Sequence, residues 1–233
     1  MIFLDTANLD AIKRYARWGI IRGVTTNPKI ISREHEAVDY STRIREILEV
    51  IKVPVSVEIT NINASLHEII DEAYQYYHIN PNYVVIKVPM FGDGRGLEIA
   101  NRLMQIGIPV NMTCIISMSQ AILACELGCR YVSIFYNRVI DYLGGMGAGF
   151  GVALETIRAI RDLIDTQGYH SKIIAGSIRR VDDVADCLNA GAHIVTVRPD
   201  ILEKLPFHKR TEETIREFDE AYKQWLNRKG DSK

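Results

Sequence analysis

The stretch that decides the fold is "NYVVIKVPM", residues 82–90. β-branched residues precede Lys87 in this stretch, and Val88 follows it. Such a run is typical of a strand that is buried on both faces, as the strands of parallel sheets are. An ammonium group in that position loses the hydration that stabilises its charge. A lysine there therefore needs a chemical explanation.

Similar β-rich runs recur along the whole chain and alternate with amphipathic stretches. The predicted strands cover residues 2–5, 23–26, 53–59, 83–89, 109–113, 131–135, 172–177 and 193–197. Helical patterns between them include "NLDAIKRYARWG" (8–19), "HEAVDYSTRIREILEVI" (35–51), "SQAILACELG" (119–128) and "GVALETIRAIRDLID" (151–165).

Eight strands that each precede a helix, without a linker between halves, predict an α/β protein with a (β/α)₈ barrel, the TIM barrel. The competing architecture is a doubly wound open sheet, which needs a glycine-rich turn after its first strand. The first strand here runs into "LDTANLD", which has no glycine. The sequence therefore favours the barrel, as a single domain over residues 1–233.

The C-terminal stretch "TEETIREFDEAYKQWLNRKGDSK" predicts an additional helix over about residues 211–228, with Thr211 as its N-cap. Its apolar residues recur at helical spacing; they are Ile215, Phe218, Tyr222 and Trp225. The pattern leaves two packings open, one on the chain's own barrel and one on a neighbouring subunit.

The composition excludes several classes of protein. The formal net charge of −1 does not suggest a nucleic-acid surface, and no apolar run approaches the ~20 residues of a membrane span. The N-terminus lacks the features of a secretion signal, and the four cysteines predict free thiols, so we expect a cytoplasmic location. The histidines show no metal-ligand spacing, so no metal site is predicted.

Polar residues cluster at the carboxyl ends of the predicted strands, where a barrel builds its active site. These residues are Asp5, Asn27, Glu58, Lys87, Asn111, Thr113, Ser133, Arg138, Ser177 and Arg179. So many polar and charged groups at one end of a barrel indicate a site.

A buried lysine in such a setting can attack a carbonyl as the free amine and form a Schiff base. Asp5 and Glu58 would move protons, and Thr113 would hold a water. Arg138, Arg179 and Ser177 would clamp an anionic terminus. The alternative that stays open is a Lys87–Glu58 salt bridge in a closed core.

These segments resemble the transaldolase family of class I aldolases, in its small-subunit branch, which includes fructose-6-phosphate aldolases. The resemblance spans nearly the whole chain and rests on "FLDTAN" (Asp5), "GVTTNP" (Asn27), "KVP" (Lys87), "GIPVNMTCIISMSQA" (Asn111, Thr113), "FYNR" (Arg138) and "AGSIRRVDDV" (Ser177, Arg179). It implies a TIM barrel without cofactor, a sugar-phosphate substrate, and a homo-oligomer, a pentamer or decamer built partly with the C-terminal helix.

Two positions distinguish the branches of the family. Transaldolases carry glutamate and phenylalanine where fructose-6-phosphate aldolases carry glutamine and tyrosine, and this chain has Glu58 and Phe135. The resemblance therefore implies transfer of a dihydroxyacetone unit from an anionic ketose to an acceptor aldehyde. Direct aldol cleavage with release of free dihydroxyacetone, and a non-catalytic sugar-phosphate-binding relative, are the alternatives.

Two departures from the family pattern leave the donor sugar open. The segment "KVPMFGDGRGL" is longer than usual and carries Arg95, and Arg198 stands where the family tends to be apolar. If Arg95 points inward, the anion pocket gains a guanidinium, and a sulfonated ketose, 6-deoxy-6-sulfofructose, becomes a candidate beside fructose 6-phosphate. If it does not, Arg95 is a solvated loop residue.

Overall fold

The computed structural model describes residues 1–33 and 38–230 of the chain. Eight parallel strands close into a barrel in chain order, with the first paired to the last. The strands are β1 (Ile2–Asp5), β2 (Ile21–Thr25), β3 (Val55–Glu58), β4 (Val84–Pro89), β5 (Val110–Ile115), β6 (Tyr131–Phe135), β7 (Lys172–Gly176) and β8 (Ile194–Val197). The predicted TIM barrel is confirmed.

Helices follow the strands and cover the outside of the barrel. They are α1 (Leu9–Ala16), α2 (Pro28–Ile31), α3 (Tyr40–Val50), α4 (Leu66–Tyr77), α5 (Arg95–Gln105), α6 (Met118–Glu126), α7 (Tyr136–Tyr142), α8 (Gly149–Gln167), α9 (Val181–Asn189), α10 (Pro199–Leu202) and α11 (Lys209–Gly230). Branched aliphatic side chains fill the space between these helices and the strands.

The starts of two helices differ from the prediction. α3 begins at Tyr40, because the Asp39 side chain accepts the Thr42 N–H as an N-cap; residues 35–37 of the predicted pattern lie outside the described residues. α11 begins at Lys209, so the predicted N-cap at Thr211 is wrong. The ring Nδ1 of His208 accepts the Arg210 N–H at 3.2 Å, which caps the first turn earlier.

The barrel interior is layered. A small cluster of buried side chains plugs it: Phe3, Val85, Tyr131, Ile174 and Ile194. Residues two positions further along a strand point to the same face, so each plug residue has a partner one layer nearer the carboxyl ends. Those partners are Asp5, Lys87, Ser133, Gly176 and Thr196. An apolar floor thus supports a mostly polar layer at the mouth.

The start of α5 approaches the end of β4, the strand of Lys87, very closely. A Cβ placed on Gly96 would stand 2.2 Å from the Pro89 carbonyl oxygen, and backbone cannot move aside cheaply. We expect Gly96→Ala to lower the free energy of unfolding by about 1–3 kcal/mol, measured by urea denaturation. Gly92→Ala, with no atom of the described residues within 4 Å of the added Cβ, is the control. Equal stabilities of the two variants would contradict this packing argument.

The additional C-terminal helix is present and leaves its apolar side chains uncovered in the single chain. Ile215, Phe218, Tyr222 and Trp225 are 56%, 70%, 59% and 52% exposed. No described helix has the length and apolar character that crossing a membrane requires.

Candidate active site

A cavity of about 110 Å³ opens at the carboxyl ends of the strands, above the apolar floor. Its wall contains most of the predicted site residues: Asp5, Asn27, Lys87, Thr113, Ser133, Phe135, Arg138 and Ser177. Thr25, Ile174, Gly176 and Thr196 complete the wall. We call this space the inner cavity.

Lys87 is held at the base of this polar layer and is 4% exposed. Its Nζ lies 2.8 Å from a Glu58 carboxylate oxygen and donates to the Thr26 carbonyl at 3.0 Å. The two residues are paired in register on neighbouring strands β3 and β4. The predicted alternative of a Lys87–Glu58 salt bridge is therefore present, but the lysine also lines an open cavity and is not sealed in a closed core.

Asp5 stands in the same wall, where burial raises the pKa of its carboxyl above the ordinary value. A hydrogen bond from Thr25 Oγ1 at 2.6 Å and the charges of Lys87 and Arg198 pull the pKa back down. A carboxyl whose pKa is tuned by opposing influences is suited to accept and return a proton during a reaction.

Thr113 reaches the cavity from an irregular part of β5. The register with β6 shifts between Met112 and Ile115, and Cys114 has φ of 61°, so one extra residue forms a bulge. Bulges near active sites redirect side chains. Among the described residues, the buried Oγ1 of Thr113 has no hydrogen-bond partner, which leaves it available to a water or a substrate hydroxyl.

Asn111 lies behind the wall and orients Ser133. The Ser133 hydroxyl donates to Asn111 Oδ1 at 2.6 Å, and Asn111 Nδ2 donates to the Ser56 hydroxyl at 3.0 Å. Asn111 is fully buried, so in this structure it supports the site from the second layer. Its predicted contact with substrate stays a prediction.

Two of the three residues predicted to clamp an anion, Arg138 and Ser177, line the inner cavity. The Arg138 guanidinium stacks over the Phe135 ring at 4.7 Å. Ser177 follows β7 with φ of 62°, a left-handed conformation that is costly for a residue with a side chain. Arg179 lies outside the wall of the inner cavity and is held by both carboxylate oxygens of Asp141.

Two residues that sequence reasoning missed hold the backbone of residues 177–180 in place. Asn137 donates to the Ser177 carbonyl at 2.9 Å and to Asp183 at 2.7 Å. The fully buried Asp183 carboxylate also accepts the backbone N–H groups of Arg179 and Arg180. The signal was present in "RRVDDV", because an acidic residue in a first helical turn can accept backbone N–H groups.

Burial alone would raise the pKa of Asp183, but these hydrogen bonds lower it below the ordinary value. The stabilisation that they provide is therefore full above about pH 4, and it is lost as the pH falls through the lower pKa of the folded state.

We expect Asp183→Asn to lower the free energy of unfolding at pH 7 by about 2–4 kcal/mol, because donors to a buried carboxylate lose their partner. The difference in free energy of unfolding between variant and wild type, measured by urea denaturation, should become smaller below pH 4. Asp182→Asn, on the exposed neighbour in α9, is the matched control. A gap that is independent of pH would show that the charge of Asp183 does not matter.

The two arginines that depart from the family pattern lie in different places. Arg95 opens α5 with its guanidinium 4.5 Å above the Phe91 ring and is not part of the inner-cavity wall. It is half-buried, so it is not a solvated loop residue either. Arg198 lies beyond β8 and pairs with both carboxylate oxygens of Asp200 at 2.8 Å.

The cysteine thiols do not compete with Lys87 as nucleophiles. Burial raises the pKa of Cys114, the one nearest the site, so its thiol stays neutral at pH 7. Within residues 1–33 and 38–230, no group of three or more histidine, cysteine, aspartate or glutamate side chains is placed to hold a metal ion.

Comparison with known proteins agrees with the geometry. The profile described as "Transaldolase/Fructose-6-phosphate aldolase" matches residues 2–231. A "Probable transaldolase" of Symbiobacterium thermophilum is 37% identical over 98% of both chains. One from Alkaliphilus metalliredigens is 38% identical over 93% of this chain and 95% of that protein.

A solved structure shares the barrel at much lower identity. Thiamine phosphate pyrophosphorylase from Pyrococcus furiosus is 12% identical, with a TM-score of 0.57 over 88% of this chain and 93% of that chain. Its likeness concerns the fold alone.

Proposed function

The chain belongs to the transaldolase/fructose-6-phosphate aldolase family, and on that premise we propose that it is a transaldolase that works through a Schiff base on Lys87. The reaction moves a dihydroxyacetone unit from an anionic ketose to an acceptor aldehyde. The observation that carries the proposal is the placement of Lys87 and Asp5 in the wall of one cavity, with Glu58 at 2.8 Å from the lysine.

The first half of the reaction forms the covalent intermediate. Lys87 passes a proton to Glu58, and its free amine attacks the C2 carbonyl of the ketose to give a carbinolamine. Loss of water, with proton transfers through Glu58 and a water held by Thr113, leaves an iminium. That Thr113 Oγ1 has no hydrogen-bond partner among the described residues supports this assignment.

The second half breaks and remakes a carbon–carbon bond. The Asp5 carboxylate takes the C4 hydroxyl proton while the C3–C4 bond breaks, and the bond electrons move into the iminium as an enamine. A shortened aldehyde leaves. The enamine carbon then attacks the acceptor carbonyl, Asp5 returns the proton to the new alkoxide, and water releases the ketose product from Lys87.

The rest of the wall suits a sugar with an anionic end. The cavity that Lys87 lines is also lined by Asn27, Ser133, Phe135, Arg138 and Ser177. Phosphate and sulfonate are both tetrahedral oxyanions that arginine binds well, so the donor is fructose 6-phosphate or its analogue 6-deoxy-6-sulfofructose. Arg179 releases the Asp141 carboxylate and binds the anionic end of the substrate in its place. Arg95 would do so only after leaving the Phe91 ring.

The test is release of the three-carbon aldehyde from each donor, with and without an acceptor aldose. We expect release that depends on the acceptor, with the better donor identifying the anion. Sustained release without acceptor would make the enzyme an aldolase that frees dihydroxyacetone. Absence of release and of a borohydride-trapped lysine with any ketose would favour a non-catalytic sugar-phosphate-binding relative.

Direct aldol cleavage is the second candidate, because the catalytic groups for breaking the C3–C4 bond are the same in both reactions. The resemblance argues against it through Glu58 and Phe135. Phe135 lines the inner cavity and has no hydroxyl for proton transfer, which supports transfer over cleavage.

We also propose that the protein is a cytoplasmic homo-oligomer, a pentamer or decamer, in which α11 packs on a neighbouring subunit. The exposed apolar face of α11 supports this, because burying such a face stabilises association. All four cysteines are unpaired thiols, which suits a reducing compartment.

We expect Phe218→Glu to reduce the subunit count seen by sedimentation or light scattering, because a charge on the α11 face must be desolvated on assembly. Leu123→Glu places the same charge on an exposed leucine of α6 and serves as the control. An unchanged mass for Phe218→Glu would show that α11 lies outside the interface.

A further inference from the structure

A chain of two threonine hydroxyls runs from the Asp5 carboxyl to β8. The Thr25 hydroxyl on β2 lies 2.6 Å from Asp5 Oδ1, and the Thr196 hydroxyl on β8 lies 2.6 Å from that of Thr25. β2 and β8 are the two strands that flank β1, and Thr25 is paired in register with Asp5. Both threonines are buried, at 3% and 6% exposed, and line the inner cavity. The hydroxyls of both flanking strands are thus linked to one carboxyl group.

The number of protons fixes the direction of this chain while Asp5 is ionised. A carboxylate only accepts hydrogen bonds, and a hydroxyl has one proton to donate. Because the Thr25 proton goes to Asp5 Oδ1, Thr25 Oγ1 must be the acceptor of its second contact, and Thr196 is the donor. Two hydroxyl dipoles aligned in this way strengthen one another and stabilise the carboxylate.

The shape of the Thr196 side chain holds its hydroxyl in this direction. A Cβ placed on Gly176 of β7 would stand 3.6 Å from the Thr196 γ-methyl, so the methyl faces β7 while the hydroxyl faces Thr25. A β-branched side chain has little rotational freedom, and packing of the methyl therefore also fixes the hydroxyl. A valine at this position would keep the methyl and lose the hydrogen bond.

Several groups from other elements also act on the Asp5 carboxyl. Burial raises its pKa most, and the charge of Glu58 on β3 raises it further. The Thr25 hydrogen bond is the strongest of the influences that lower the pKa, ahead of the charges of Lys87 on β4 and Arg198 beyond β8. A residue that keeps the Thr25 proton directed at Asp5 therefore helps to keep this carboxyl able to accept a proton.

We propose that Thr196 is a positioning residue, which acts through Thr25 to hold Asp5 ionised and oriented for proton transfer. This inference rests on the proposed function, because it takes Asp5 as the base that accepts the C4 hydroxyl proton. Thr196 is not among the residues that the sequence predicted for the site, and its hydroxyl reaches the reaction through two hydrogen bonds in series.

The first arm of the test measures the pH profile of kcat/KM for aldehyde release. On the acid limb, kcat/KM of Thr196→Val should fall about three- to tenfold below wild type, which is the net effect of one hydrogen bond, with a smaller change on the plateau. Thr196→Ser keeps the hydroxyl and should return the limb to the wild-type pH. An unmoved limb in Thr196→Val, or equal displacement in both variants, would overturn the proposal.

Ser171→Ala is the matched control for loss of a buried hydroxyl. Ser171 precedes β7 at the opposite end of the barrel, and its hydroxyl donates to the Cys129 carbonyl at 2.6 Å. Its replacement should lower the free energy of unfolding and leave the acid limb at the wild-type pH. A limb displaced as far as in Thr196→Val would show that general destabilisation moves the profile, and would overturn the specific role of Thr196.

The second arm needs no turnover. The carboxyl carbons of isotopically labelled aspartate are followed by NMR as the pH is varied, and the Asp5 signal is identified by its absence from Asp5→Asn. We expect Asp5 to titrate at higher pH in Thr196→Val than in wild type, and at the wild-type pH in Thr196→Ser. Identical titration in Thr196→Val and wild type would overturn the role of Thr196. The expected titration in a protein that turns over no ketose would support the hydroxyl chain and refute the transaldolase proposal alone.

Discussion

Replacement of Lys87 is expected to abolish turnover, with a loss on the order of 10⁴-fold or more, because among the described residues Lys87 is the one lysine that lines the inner cavity. Lys87→Arg is the informative variant. It keeps a cation beside Glu58, so the buried carboxylate is not left unpaired, but a guanidinium stays protonated and does not form a Schiff base. Lys87→Met removes both the charge and the nucleophile.

The measurement combines steady-state release of aldehyde with mass spectrometry after borohydride reduction in the presence of ketose. Wild type should gain the mass of the reduced sugar adduct on Lys87, and both variants should gain none. Lys13→Ala, on the exposed face of α1, should behave like wild type. An adduct on a different lysine of the wild-type protein, or turnover retained in Lys87→Arg, would refute the assignment.

The barrel could be predicted from the sequence because its signals are local and repeated. Each strand is a short, mostly buried run in which β-branched or aromatic residues are frequent, and the eight runs together leave little choice of architecture. The start of α11 could not be predicted as well, because a histidine ring caps it and histidine is not a usual N-cap residue.

The lysine, Asp5 and Thr113 could be placed in one site because strand ends converge in a barrel. The roles of the supporting residues Asn137 and Asp183 could not be predicted, because they depend on contacts between distant parts of the chain. Asn137 and Asp183 are 46 positions apart, and the pairing of β6 with β7 brings them together.

The positions of the arginine side chains were even harder to predict from the sequence. Their side chains are long, so position along the chain does not determine where the guanidinium lies. Arg95 was expected either in solvent or in the pocket, and it instead stacks on Phe91. Arg198 departs from the family pattern in the sequence, yet the position of its guanidinium follows from the turn after β8 and from its pair with Asp200.

Asp5→Asn should separate bond cleavage from Schiff-base formation. We expect the rate of aldehyde release to fall about 10²- to 10⁴-fold, the usual contribution of a general base, while borohydride still traps the ketose on Lys87. The reason is that in the proposed mechanism Asp5 acts on the C4 hydroxyl, whereas Glu58 and Thr113 serve the lysine. Loss of trapping in parallel with turnover would instead assign Asp5 to formation of the covalent intermediate.

The pH dependence gives an independent check on the same carboxyl. Asp5 must be ionised to take a proton, and burial raises its pKa, so turnover should be lost as the pH falls through a value above the ordinary aspartate range. Thr25→Val removes the 2.6 Å hydrogen bond that lowers this pKa. The acid limb of kcat/KM should therefore move to higher pH in Thr25→Val.

Thr42→Val is the control. It removes a hydroxyl that contacts Asp39 at the exposed start of α3, and it should leave the acid limb of kcat/KM at the wild-type pH. An acid limb at the same pH in wild type and Thr25→Val would mean that a group other than Asp5 limits the rate in acid.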